Sequence, residues 1–104
     1  MKIQLFYVPF KDMKEAKKVS KELVKRKLCV CSNIFKIKSI YEWQLKIEEG
    51  FEVLCIFKTK VSLKEKLEKE IEKLHSYDVP AIINFEVNCN KSYFDYLESE
   101  LKST

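Results

Sequence analysis

Ser39-Ile40-Tyr41-Glu42-Trp43-Gln44-Leu45-Lys46-Ile47-Glu48-Glu49 is the stretch that decides how this chain folds. It places the only tryptophan beside a tyrosine on a strand-like run, which feeds into a second strand through little more than a tight turn. The product is a long β-ribbon bearing large aromatic side chains. A 104-residue domain cannot easily cover such a ribbon with its own core. An oligomer is the expectation.

Outward from the ribbon, the apolar periodicity alternates between strand and helix. Residues 3–8 are rich in β-formers and are expected to stop at Pro9. Asp12-Met13-Lys14-Glu15 has the form of a capping box, and Met13, Ala16, Val19, Leu23 and Val24 follow on one helical face. Residues 28–35 read as a second strand, and residues 37–43 continue the same ribbon. The return strand covers residues 47–59, with Phe51, Val53, Cys55 and Phe57 on one face and Leu54 and Ile56 on the other. Apolar residues on both faces predict a central position for its end. Ser62-Leu63-Lys64-Glu65 forms a second capping-box pattern, and Leu63, Leu67, Ile71 and Leu74 follow at helical spacing up to His75. Residues 81–87 make a fourth strand, and residues 92–101 a short final helix with Phe94, Leu97 and Leu101 inward.

The order β-α-β-β-α-β-α predicts an α+β fold: a ferredoxin-like βαββαβ sandwich on an antiparallel sheet, with an added C-terminal helix. Right-handed crossovers place the two long helices on one face of the sheet. A further copy of the chain is the simplest cover for the other. With no internal linker or repeat, residues 1–104 read as a single domain.

Composition narrows the function classes. A 46% hydrophobic content marks a folded globular protein. No apolar run approaches the ~20 residues of a membrane span, and the start of the chain lacks a signal-peptide pattern, so the expected location is cytoplasmic. The net charge of +4 comes from lysines interleaved with glutamates on helices, including a Glu65–Lys69 pair, and Arg26 is the only arginine. Bidentate phosphate recognition relies on arginine, so no nucleic-acid partner is expected. Cys29, Cys31, Cys55 and Cys89 lack the paired spacing of a structural zinc site and read as reduced thiols. Cys29 and Cys31, two apart on the expected strand, share a face there. They read as small buried residues or as a soft chelate for Cu(I). The chain has one glycine, no phosphate loop and no histidine paired with a nucleophile motif, so no enzyme activity is expected.

Several short pieces occur together and in order: Lys27-Leu28 leading to Cys31 and Asn33, Ser39-Ile40-Tyr41 with Trp43, and Lys46-Ile47-Glu48-Glu49. Glu52-Val53-Leu54, Lys58-Thr59, Leu74-His75, Tyr77-Asp78-Val79-Pro80 and Asp95-Tyr96-Leu97 complete them. The sequence resembles the CutA family of divalent-cation tolerance proteins over nearly its whole length. The resemblance implies a ferredoxin-like, PII-like fold and a homotrimer joined through long β-ribbons. It implies a role in divalent metal tolerance, with Cu(II) the first ion to try and no required cofactor. The chain departs from the family at the ribbon turn, where Gln44-Leu45 replaces Glu-Gly, and at Ser76 and Ala81, where a proline and a carboxylate are usual.

By this resemblance His75 and Cys31 are the candidate metal ligands, beside a reading of His75 as a residue that closes its helix. Tyr41, Lys46, Glu48, Lys58, Tyr77 and Asp78 form the candidate ligand pocket, with Asp78 and Tyr77 equally suited to shaping the turn before Pro80. Trp43 is the expected anchor of the trimer interface. Two other functions fit the same fold: a PII-like sensor of a small anionic metabolite held by Lys46 and Lys58, and a trimer that anchors other proteins.

Overall fold

A computed structural model describes residues 1–101. Four strands and three helices follow in the expected order: β1 (Lys2–Phe10), α1 (Met13–Lys25), β2 (Cys31–Trp43), β3 (Lys46–Thr59), α2 (Lys64–Leu74), β4 (Ile83–Asn88) and α3 (Lys91–Glu100). The strands form one antiparallel sheet in the order β2-β3-β1-β4. This is the split βαβ arrangement, with α1 and α2 packed side by side on one face.

The helix-covered face is built by period-two and period-3.6 patterns meeting. Phe6, Val8 and Phe10 of β1 and Cys55 and Phe57 of β3 are buried against Ala16, Val19 and Leu23 of α1 and Leu67 and Ile71 of α2. Asp12 caps α1 as expected, its carboxylate accepting from the Glu15 N–H at 2.8 Å. Arg26 ties the two helices together through Glu22 and Glu70. The second face is half covered by α3, whose Leu97 lies buried in the same core as Ile3. The remainder of that face leaves Tyr7, Phe35, Ile83 and Phe85 exposed.

Several expectations are corrected. Pro9 does not end β1, because the strand runs through it to Phe10, opposite Val53. The β1–β4 pairing has already ended at Tyr7, so no partner strand needs the missing proline N–H. Ser62 caps nothing. Leu63 is drawn fully into the core through a 3₁₀ turn over Val61–Leu63, and α2 starts behind that turn without a side-chain cap. Val24 turns to solvent, and Ser20 takes its place on the buried face of α1. Cys29 lies ahead of β2 rather than on it, so it shares no strand face with Cys31. The Glu65–Lys69 pair does not form among the described residues; Glu70 pairs with Lys73 instead.

The defining feature is the mismatch in strand length. β2 and β3 stay paired from Cys31↔Lys58 to Trp43↔Lys46, whereas β1 meets β3 only from Val53 to Thr59. Everything beyond Val53 is therefore a two-stranded arm, and it stretches the molecule to 47 × 24 × 20 Å. Ile40, Ile47 and Phe51 lie on one face of the arm and Tyr41 and Trp43 on the other. Phe51 is 78% exposed and Trp43 62%.

The turn at the tip has φ of 50° at Gln44 and 67° at Leu45. Two consecutive positive φ values match the right-handed twist of a two-residue hairpin, a geometry that favours Asn-Gly. Leu45 is 92% exposed, so its side chain gains no packing in return for its left-handed backbone. Leu45→Gly is expected to stabilise the chain by about 0.5–1 kcal/mol. A chemical-denaturation midpoint unchanged or lowered in that variant would contradict the turn assignment.

Candidate functional site

Where the arm leaves the sheet, a cleft of about 670 Å³ is lined by Lys11, Ser39, Tyr41, Trp43, Gly50, Phe51, Glu52, Tyr77 and Val79. Strand register explains most of that list. Ser39, Tyr41 and Trp43 of β2 alternate onto one face, and Gly50 and Glu52 of β3 lie on the same face through the pairs Ser39↔Gly50 and Ile37↔Glu52. The loop after α2 supplies Tyr77 from above.

Glu52 is the centre of this cleft. Its carboxylate accepts from the Ser39 hydroxyl at 2.6 Å and from the Tyr77 hydroxyl at 2.8 Å. The two bonds clasp the arm to the α2–β4 loop. Burial first, and then the bond to Glu52, pushes the Tyr77 phenol well above its ordinary range, with the charges of Glu52 and Glu15 adding to the shift.

Behind Tyr77, His75 is 8% exposed and stacks on Phe10 with ring centroids 4.5 Å apart. Its Nδ1 accepts from the Tyr77 N–H at 3.1 Å, which leaves the proton on Nε2 to donate to the Pro9 carbonyl at 2.7 Å. Both ring nitrogens are thus engaged in holding the loop to β1. A metal ion would have to displace one of those bonds. Cys31 lies on the opposite sheet face, paired with Lys58, about 13 Å further along β3 than the Leu54 that pairs with Pro9. A single protomer does not bring His75 and Cys31 together, and no group of three His, Cys, Asp or Glu that could hold a metal occurs among the described residues.

The expected pocket residues divide. Tyr41 and Tyr77 line the cleft. Lys46 sits at the tip of the arm opposite Trp43, and Glu48 stands opposite Tyr41. Lys58 lies twelve residues from Lys46 on the same strand, about 40 Å away, with its ammonium 5.9 Å over the Tyr93 ring. These two lysines therefore share no pocket within a protomer. Asp78 faces a separate hollow with Glu68 and Glu72. Glu52 and Ser39 are the residues of the cleft not singled out as site residues from the sequence. The sequence shows Glu52 only as an acid between Phe51 and Val53, and the strand register is what puts it on the face of Ser39.

The cysteines differ in character. Burial pushes the Cys29 thiol up to about 12, with Cys31 adding to the shift. Cys55 is also raised by burial, offset by its contact with Ser20, whose hydroxyl is 3.5 Å from its sulfur.

A ferredoxin-like sheet with a projecting two-stranded arm and a clasped cleft at its base defines a small α+β domain of the split βαβ class. The family model for "CutA1 divalent ion tolerance protein" matches residues 4–100, and the chain belongs to that family. It is similar to the divalent-cation tolerance protein CutA of Thermococcus kodakarensis, with 41% identity over 98 residues, covering 93% of this chain and 94% of the relative. The CutA of Pyrococcus horikoshii is 42% identical over 99 residues, covering 94% and 97%. Among solved structures, CutA1 from Oryza sativa superposes with a TM-score of 0.93 at 27% identity, covering all of this chain and 97% of that one.

The raised Tyr77 phenol has a defined consequence for stability. Its folded value lies above the unfolded 10.0, so its contribution is fully present below pH 10 and declines as pH rises above that value. Tyr77→Phe is expected to cost about 1–2 kcal/mol at neutral pH and to flatten the alkaline loss of stability. Denaturant unfolding at neutral pH and above pH 10 checks both, and parallel alkaline curves for parent and variant would sink the assignment.

Proposed function

We propose that the protein is a homotrimeric, non-enzymatic divalent-cation tolerance protein of the cytoplasm. The arm carries this reading. An isolated two-stranded ribbon is marginal in water, and this one exposes Ile40, Trp43, Ile47 and Phe51 on its two faces. Neighbouring copies supply the missing cover, with Trp43 as an anchor.

The two sheet edges support a ring. β2 and β4 are both open edges. Lys17, Lys21 and Lys25 of α1 border the β2 side, beside Ser32 and Ile34. Glu68, Glu72 and Asp78 border the β4 side. Unlike edges of opposite charge favour a head-to-tail contact, which forms a closed ring when the rotation permits. With both nitrogens of His75 hydrogen-bonded to backbone groups, the only histidine is not placed as a general base. Among the described residues no helix is long and apolar enough to cross a membrane.

Metal contact in this reading draws His75 and Cys31 from different protomers, with Cu(II) as the first ion. The Glu52 clasp favours a second reading, a PII-like sensor that takes a small ligand in the cleft.

Sedimentation at micromolar concentration is expected to give three times the chain mass of 12.4 kDa, and Trp43→Asp with Phe51→Asp is expected to give single chains. A parent that sediments as a single chain refutes the trimer. Cu(II) titration is expected to be at least tenfold weaker in His75→Ala than in the parent, and equal affinity removes His75 as a ligand.

A further inference from the structure

We propose that the groove along α1, closed by the end of α2, binds a short oligophosphate chain held by the ammonium groups of Lys11, Lys14 and Lys18. The inference goes beyond the trimer, the metal and the cleft, and it depends on none of them.

Three observations carry it. The first is position. A hollow of about 580 Å³ follows α1 from Lys11 to Arg26 and meets Leu74 at the end of α2. None of its lining residues belongs to the arm, to the open edges β2 and β4, or to the uncovered sheet face. Lys11 also borders the cleft at the base of the arm, so Lys14 and Lys18 are the pair on which the inference rests. The second is which charges are free. The three acids of the lining are all engaged by internal donors: Asp12 by the Glu15 N–H at 2.8 Å, Glu15 by the Ser76 N–H at 3.0 Å, and Glu22 by Arg26. Arg26 is occupied in turn, because Glu70 holds its other nitrogen. Lys11, Lys14 and Lys18 form no ion pair among the described residues. The third is spacing. Lys14 and Lys18 lie one helical turn apart on one side of α1, about 6 Å along its axis, where like charges repel. A ligand with adjacent negative charges relieves that repulsion at both ends, which a single charge does not.

An oligophosphate chain has that form. Lysine binds phosphate as a point charge and needs no planar fork, so the engagement of Arg26 elsewhere does not exclude it. Among the described residues no aromatic side chain lines the hollow, so nothing there stacks on a nucleotide base and the phosphate chain alone carries recognition. A metal cation fits less well, since it would have to strip three acids of their internal donors while facing three unpaired ammonium groups. The acids of the lining give the proposal its sharpest test: Glu15 and the Lys14–Lys18 pair must act with opposite signs.

The experiment titrates the full chain, at low ionic strength and without divalent metal, with sodium tripolyphosphate, ATP and orthophosphate. The readouts are the amide shifts of Lys14 and Lys18 and the melting temperature, which a ligand of the native state raises. Tripolyphosphate is expected to saturate the groove, ATP to bind within about threefold of it, and orthophosphate to bind about tenfold more weakly. Lys14→Met with Lys18→Met is expected to weaken tripolyphosphate about tenfold. Lys66→Met with Lys69→Met removes the same charge from exposed positions of α2 outside the groove, and is expected to change it less than about twofold. Glu15→Gln, whose amide oxygen can still accept from Ser76, is expected to tighten it severalfold. Unfolding curves of the unliganded variants confirm that they fold. Equal losses in the two double variants overturn the proposal, because binding then follows net charge alone. ATP binding that far exceeds that of tripolyphosphate overturns it by placing recognition on the base. Orthophosphate binding as tightly as tripolyphosphate, or silence from all three probes, overturns it as well.

Discussion

The register between β2 and β3 is the constraint on which the rest of this molecule depends. Thirteen successive pairs hold from Cys31↔Lys58 to Trp43↔Lys46, and side chains alternate faces at every step. A slip by one residue would turn Cys55 and Phe57 out of the core and bury Ile56 and Lys58 instead. The same slip would remove Glu52 from the face of Ser39. Core and cleft are thus set by one ladder, its inner half anchored by β1 and its outer half carried as the arm.

The order of elements was legible in the sequence because local period and long-range packing agree. Leu67 and Ile71, one helical turn apart, lie fully buried where the 3.6 period puts them. Failures arose where tertiary packing overrode a sound local pattern. Ser62-Leu63-Lys64-Glu65 has the letters of a capping box, yet burial of Leu63 outweighs a cap and pulls the chain through a 3₁₀ turn. Pro9 reads as a strand terminator, and only the shortness of β4 shows that its missing N–H costs nothing there.

The site was less legible than the fold, for two different reasons. Glu52 became visible only through the pairing partner of its strand, because a lone acid among Phe51, Val53 and Leu54 gives no signal of the hydroxyls that reach it from Ser39 and Tyr77. The separation of Lys46 and Lys58, by contrast, follows from the strand itself at about 3.3 Å per residue. Resemblance to a family groups residues by shared recurrence, and geometry then sorts them: Tyr41 and Tyr77 line the same cleft, whereas Asp78 lines another hollow with Glu68 and Glu72.

The bond between His75 and Pro9 bears on a hazard that any open sheet must meet. Beyond Tyr7, β1 has lost β4 as a neighbour, so its last residues form a short bare edge beside the core. At that edge Pro9 offers no N–H, and its carbonyl is already taken by His75 at 2.7 Å. A stray strand from a partly folded chain finds neither donor nor acceptor there on which to begin pairing. The proline and the histidine together act as a guard against edge-to-edge aggregation, in a fold whose outer strands remain open along their length.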